Sequence, residues 1–116
     1  MELKRAETVM ESDDDLEIWS SLEIGFDYRD ALIVRLDFVD YDDHTRDNVL
    51  YAVVDADEVP IMADRLHVPT ADLPKAIAER CAGHPVPVPP SYVRSAFKEV
   101  LDCIIDCGAR YRLREA

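Results

Sequence analysis

The fold of this chain is decided by residues 16–39, which read LEIWSSLEIGFDYRDALIVRLDFV. Apolar side chains occupy alternate positions in both halves of this stretch, and successive side chains of a strand point to opposite faces of a sheet. The stretch therefore predicts two half-buried strands whose even-numbered residues form one apolar face. Only Ser20 interrupts that face, which consists of Leu16, Ile18, Leu22, Ile24, Phe26 and Tyr28 in the first half and Leu32, Val34, Leu36 and Phe38 in the second.

The short connection between these strands predicts an antiparallel hairpin. A one-residue slip would turn the polar face of one strand against the apolar face of the other, so the pattern excludes it. Two registers keep the apolar faces together: one pairs Phe26 with Val34, and the other, with a longer loop, pairs Ile24 with Val34. A third apolar run at residues 49–54 follows a polar loop and predicts the next strand of a meander.

Helical spacing replaces alternation after the third strand. Apolar residues from Val59 to Leu66 predict a short helix with Asp57 as its N-cap. Leu73 and Ile77, with Cys81 as a third candidate position, indicate a second short helix, which Thr70 could cap.

The longest helix is predicted from Tyr92 to Cys107, capped by Ser91 and ended by Gly108. Its apolar arc is broad, so it is expected to contact something besides the sheet. The tail, residues 109–115, alternates and predicts a short strand or an extended segment. The tail also contains a concentrated positive patch, formed by Arg110, Arg112 and Arg114.

These elements predict one α+β domain over residues 1–116: an antiparallel three- to four-stranded meander packed against two short helices and one longer C-terminal helix. Residues 1–13 are polar and weakly periodic, which indicates a loosely ordered arm or a short helix. Residues 85–90, PVPVPP, predict a stiff extended connector of polyproline character.

Charge restricts the classes of partner. The chain carries 25 acidic and 13 basic residues, for a net charge of -12. This excess opposes binding to nucleic acid and to anionic membranes, because both are held through cationic side chains. It favours an electrostatically steered basic protein partner. The sequence also lacks an apolar run of membrane-spanning length and a signal peptide, so a cytoplasmic location is expected.

The cysteines and one histidine suggest a metal site as an alternative. Cys81 and His84 form a C-x2-H pair, and Cys103 and Cys107 form a C-x3-C pair. Four such ligands from two elements could close a tetrahedral structural zinc site. The preferred interpretation is that the cysteines are small core residues, since Cys103 and Cys107 lie on or beside the apolar arc of the last helix.

Segment 58–82 resembles a helix-turn-helix. The motif runs from Met62 to Val68 as MADRLHV and continues with apolar residues at the expected offsets. It departs from the family at His67, where glycine is usual, and at Pro74, early in the second helix. The resemblance implies a nucleic-acid-associated regulator, although that second helix would present charges of both signs.

Segment 51–89 is also similar to a LysM module, a strand-helix-helix-strand unit that binds polymers of N-acetylglucosamine. The similarity rests on the spacing of the apolar residues from Tyr51 to Leu73 and on the stretch from Gly83 to Pro89. Ala56, Asp57 and Glu58 stand where the family has its Gly-Asp-Thr turn, and Ile77 replaces its usual asparagine. The resemblance implies a glycan-binding module.

Motifs for catalysis are missing from the sequence, which contains no glycine-rich phosphate loop, G-x-S-x-G or H-E-x-x-H. Asp55 and Asp57 could serve acid–base chemistry in principle, but a strand end and a helix cap explain them more simply. We therefore expect no catalytic residue and no cofactor. The preferred hypothesis is a non-enzymatic interaction module that binds a protein partner and could form a homodimer; the alternatives are the three given above.

Overall fold

The computed structural model describes residues 3–12, 18–40, 48–81 and 90–115. Within them the chain forms one five-stranded antiparallel sheet with three helices. The predicted proline connector lies outside the described residues except for Pro90, where the last helix begins. The strands are β1 (Lys4–Glu11), β2 (Ile18–Phe26), β3 (Leu32–Asp40), β4 (Asn48–Val54) and β5 (Arg112–Glu115), adjacent in chain order.

The α+β class and the antiparallel meander are confirmed, but the sheet has five strands where three to four were predicted. The additional strand is β1, in the segment predicted to be an arm or a short helix. Its residues 4–8 are exposed, and only Val9 and Met10 near its end are buried. An edge strand with so few buried side chains has no apolar alternation, so its sequence resembles that of a loop.

β1 crosses β2 closely at Gly25. A Cβ atom at this position would lie 2.9 Å from the carbonyl oxygen of Lys4, 3.0 Å from Cβ of Leu3 and 3.1 Å from Cα of Ala6. The register of the two strands shifts here, and Arg5 has a φ of 52°. Such a bulge bends one strand over its neighbour, and only glycine leaves room for this crossing.

The β2–β3 hairpin uses the longer of the two predicted connections. Ile24 lies opposite Val34, so the even-numbered faces coincide as predicted. The carboxylate of Asp27 accepts hydrogen bonds from the backbone N–H groups of Arg29, at 2.8 Å, and Ala31, at 3.0 Å. An aspartate that bonds the backbone following it stabilises a turn, and this side chain thereby sets the length of the loop.

The helices are α1 (Val59–Leu66), α2 (Leu73–Cys81) and α3 (Pro90–Asp106), with a 3-10 turn at Thr70–Asp72 before α2. Their predicted caps are wrong by one or a few residues. Glu58 occupies the N-cap of α1 without a side-chain bond, Thr70 begins the 3-10 turn, and Ser91 lies inside α3. None of these described helices is long and apolar enough to cross a membrane.

Gly108 ends α3 as predicted. Its φ of 83° lies in the left-handed region, where a side chain causes strain. Its N–H donates to the carbonyl of Ile105 at 2.9 Å, and the N–H of Ala109 donates to Ile104 at 3.2 Å. This pair of bonds is the Schellman arrangement, which satisfies the last carbonyls of the helix and redirects the chain toward β5.

The core lies between the even-numbered face of the sheet and the helices. α2 packs mainly on β1, whereas α3 packs mainly on β2 and to a lesser extent on β1 and β3. The predicted packing of the sheet against the long C-terminal helix is confirmed, because the apolar arc of α3 is buried along nearly its whole length. Fully buried side chains include Leu22, Ile24, Leu32, Val34, Val54, Val59, Met62, Leu73, Ile77, Val93 and Ile104.

The opposite face of the sheet carries a half-buried charged cluster. Arg35 donates to Glu23 at 2.7 Å, and its Nε lies 3.2 Å from the carboxylate of Asp37. Buried Ile33 and Val53 lie beside it in a small second apolar cluster. This face is therefore held together by ion pairs and by local apolar contacts.

Candidate binding groove

The helices leave part of the apolar sheet face uncovered. Since α2 and α3 pack mainly on β1, β2 and β3, the flank of α3 faces the same side of β4 and β5 across a gap. This gap is a groove of about 470 Å³, which we call the α3–β5 groove. Its lining consists of Leu36, Phe38, Asn48 and Leu50 on the sheet, Arg94, Phe97, Lys98 and Leu101 on α3, and Leu113 on β5.

The floor of the α3–β5 groove is apolar and belongs to the edge of the core. Leu36, Phe97 and Leu101 are 4–9% exposed, so the core fixes their positions. Leu113 is different, since 54% of it is exposed on the edge strand. A partner that covered Leu113 would remove apolar surface from water without rearranging the fold.

Two cations border the groove. Arg94 and Lys98 lie four residues apart on α3 and are therefore neighbours on its surface. The guanidinium of Arg94 lies 5.7 Å from the centre of the Phe38 ring, within the range of a cation–π contact. Both cationic side chains are exposed. The groove thus has a positive rim in a chain whose net charge is -12.

β5 forms the outer wall of the groove and one edge of the sheet. It pairs only with β4 among the described strands, with Leu113 opposite Ala52 and Arg114 opposite Tyr51. Arg112 of this strand donates to the carboxylate of Asp55 at 2.7 Å in an exposed ion pair. This contact gives a structural role to a carboxylate that was considered as a candidate for acid–base chemistry.

The structure brings the three predicted thiols together. Cys81, Cys103 and Cys107 are buried, and Cys103 hydrogen-bonds Cys107. Burial, together with a smaller effect of the nearby Cys107, raises the pKa of the Cys103 thiol from 9.0 to about 11. Within the described residues, no three histidine, cysteine or acidic side chains are placed to hold a metal ion. His84 lies outside those residues, so the zinc site stays a prediction.

The helix-turn-helix segment contains the two expected helices, α1 and α2. His67 adopts a left-handed conformation, with φ 58° and ψ 41°, where the family has glycine. Pro74 lies buried in the first turn of α2, where its missing N–H breaks no helical bond. The exposed charged side chains of this part of the segment alternate in sign; they are Asp72, Lys75, Glu79 and Arg80. Nucleic-acid binding through the segment stays a prediction.

For the LysM resemblance, β4, α1 and α2 correspond to the first three elements. The closing stretch at residues 83–89 lies outside the described residues. β4 is hydrogen-bonded on both sides, by β3 and by β5, so it has no free edge for another strand. Glycan binding also stays a prediction.

A second exposed apolar surface lies at the opposite end of α3. Ile105 is 55% exposed and Ile61 is 46% exposed. A shallow depression of about 430 Å³ beside them is lined by Ile105, Gly108 and Tyr111, among others. This depression is not lined by the sheet and α3 together, as the α3–β5 groove is. Its exposed residues serve as matched control positions for the groove.

Comparisons with protein-family models, with curated proteins and with solved structures find no match to this chain. The two family resemblances therefore rest only on the residues that carry them.

Proposed function

We propose that this protein is a non-enzymatic interaction module that binds a partner protein in the α3–β5 groove. The observation that carries the proposal is the groove itself: an apolar floor, a positive rim and an edge strand in one place. Exposed sheet edges and apolar grooves are both recurring sites of peptide recognition.

The lining of the groove favours binding over catalysis. Its described side chains are apolar except for Asn48, Arg94 and Lys98. General acid–base and nucleophilic catalysis mostly use histidine, carboxylates or thiols, and the described lining contains none of these. The arrangement can hold a ligand by apolar contact and by charge.

The charge of the partner depends on which surface it contacts. The net charge of -12 favours a basic partner elsewhere on the molecule, and that expectation stays a prediction. At the groove, Arg94 and Lys98 favour a segment that combines apolar and acidic side chains. We therefore propose an acidic, apolar segment as the ligand of this site.

Selection from a displayed library of linear peptides tests the proposal. We expect selected peptides to lose binding to the Lys98→Glu and Leu113→Asp variants. The controls Lys75→Glu and Ile105→Asp make the same changes at exposed residues outside the groove. Peptides that bind every groove variant normally, or a library that yields no binder, would contradict the proposal. Loss of binding only in Ile105→Asp would move the site to the other end of α3.

Native mass spectrometry of the untagged chain tests two further hypotheses. A dimeric mass would support the possible homodimer, and one zinc ion per chain would support the zinc-stabilised module. In that case, chelation should unfold the protein, because binding and folding are coupled in structural zinc sites.

A further inference from the structure

We infer that the partner segment adds to the outer edge of β5 as a strand in which acidic and apolar side chains alternate. This inference rests on the proposed function and specifies the conformation and chemistry of the partner. It follows from three features of β5: its position in the sheet, the alternation of its side chains and its charge.

The first feature is the position of β5 at the end of the sheet order. Among the described strands, β4 pairs with one side of β5 and none pairs with the other. A strand edge offers backbone N–H and carbonyl groups that an extended chain can bond. Because the α3–β5 groove adjoins this edge, a strand added there would also place side chains toward the groove.

The second feature is the alternation of side chains in the sequence RLRE. Leu113 pairs with Ala52 on the helix side of the sheet, where the groove lies. Arg112 and Arg114 lie on the opposite face, and all side chains of β5 are exposed. An added strand therefore meets Leu113 and Glu115 on the groove side and two arginines on the other face, where Arg112 also donates to Asp55.

The third feature is the charge of β5, which disfavours a second copy of this chain as the occupant. Antiparallel pairing of two β5 strands with continuous faces sets residues of the same face opposite each other. With Leu113 opposite Leu113, Arg112 meets Arg114 at both ends of the pair. The neighbouring register sets Arg114 against Arg114. Like charges directly opposite each other destabilise a sheet, so antiparallel pairing of β5 with its own copy is disfavoured.

A strand with the pattern acidic–apolar–acidic removes this conflict. Its acidic side chains lie opposite Arg114 and opposite Arg112, which already donates to Asp55, and opposite charges across a strand pair are stabilising. Its apolar side chain lies opposite Leu113 and points to the groove side. The same pattern explains how one ligand can use both the groove and the edge.

The net charge of the chain does not prevent an acidic ligand from binding. At 0.15 M ionic strength, exposed charges more than about 8 Å apart are largely screened. Cross-strand partners are much closer than this, with Cβ atoms about 5 Å apart. The charges next to the added strand, above all Arg114, therefore contribute more to the electrostatics of the bound state than the distant acidic residues do.

A synthetic peptide, acetyl-SEVEVEVS-amide, tests the inference by isothermal titration calorimetry against the full chain. We expect it to bind the wild type, and we expect Arg114→Glu to weaken binding about tenfold. The peptide acetyl-SKVKVKVS-amide should show the reverse preference and bind Arg114→Glu more tightly. Lys75→Glu, which makes the same charge change on α2, should leave both affinities unchanged.

Backbone methylation separates strand addition from simple occupation of the groove. A peptide with all valine and glutamate amides N-methylated cannot donate to a strand edge, and we expect its binding to be lost. Unchanged binding of the methylated peptide, or no effect of Arg114→Glu, would overturn strand addition. If library peptides still depend on Lys98 and Leu113 in that case, the proposed function survives. If the library peptides also do not depend on Lys98 and Leu113, both strand addition and the proposed function are refuted.

Discussion

Replacing Gly25 by alanine tests the crossing of β1 over β2, the part of the fold least evident from the sequence. The new Cβ would meet atoms at 2.9, 3.0 and 3.1 Å, whereas ordinary contacts begin at 3.4 Å. Two of these atoms belong to the backbone of β1, at Lys4 and Ala6. No side-chain rotation can relieve them, so β1 must shift away from β2.

The expected loss follows from two opposing effects. Overpacking a tight site costs roughly 1–3 kcal/mol, while alanine restricts the unfolded chain and returns about 0.4–1 kcal/mol. The net change is a loss of about 1–2 kcal/mol. Since unfolding entropy is about 2.1 cal/mol/K per residue, this loss lowers the Tm by about 4–8 °C.

Differential scanning calorimetry of Gly25→Ala measures this change directly, with Thr8→Ala as a control at an exposed position of β1. Hydrogen exchange should show faster exchange in β1 of the Gly25→Ala variant. A Tm equal to or above that of the wild type would refute the close crossing. An equal fall in Thr8→Ala would show that β1 is sensitive to any change.

Three further predictions concern stability. The pKa of Cys103 is raised from 9.0 to about 11 in the folded protein, so the protonated thiol stabilises the fold fully below pH 9, and this stabilisation is lost as the pH rises toward 11. In urea unfolding, the free energy of unfolding should therefore fall more between pH 8 and pH 10.5 for the wild type than for Cys103→Ala. Arg35→Met should lower the free energy of unfolding by about 1–3 kcal/mol. Arg112→Met, which removes an exposed ion pair, should lower it by less than about 1 kcal/mol. Equal losses in the two variants would contradict the greater burial of Arg35. Gly108→Ala should cost about 1–2 kcal/mol because of its positive φ, and an unchanged urea midpoint would refute that backbone conformation.

The central strands could be predicted because each has one buried face. Alternation from Leu22 to Phe26 and from Leu32 to Phe38 gave the correct face and strand direction, although two registers satisfied it equally. The length of the loop depends on the hydrogen bonds that the carboxylate of Asp27 accepts from the backbone of the turn, and the periodicity of the sequence does not predict these bonds. β1 was missed for the opposite reason, since most of its side chains contact solvent.

The candidate site was only partly predictable. The arginines of the tail and the broad arc of α3 were recognised from the sequence, as was the possible strand at the C-terminus. The α3–β5 groove was not, because it exists where α3 fails to cover β4 and β5. Coverage depends on how the helices cross the sheet, and no local pattern around Lys98 or Leu113 encodes it.

Binding of an extended partner segment by the α3–β5 groove and its edge is tested most directly by amide hydrogen exchange of the full chain, with and without acetyl-SEVEVEVS-amide. We predict slower exchange in residues 112–115 and along the groove side of α3, near Lys98, with no change near Ile61 and Ile105. Protection confined to Ile61 and Ile105, or no protection at saturating peptide, would contradict it.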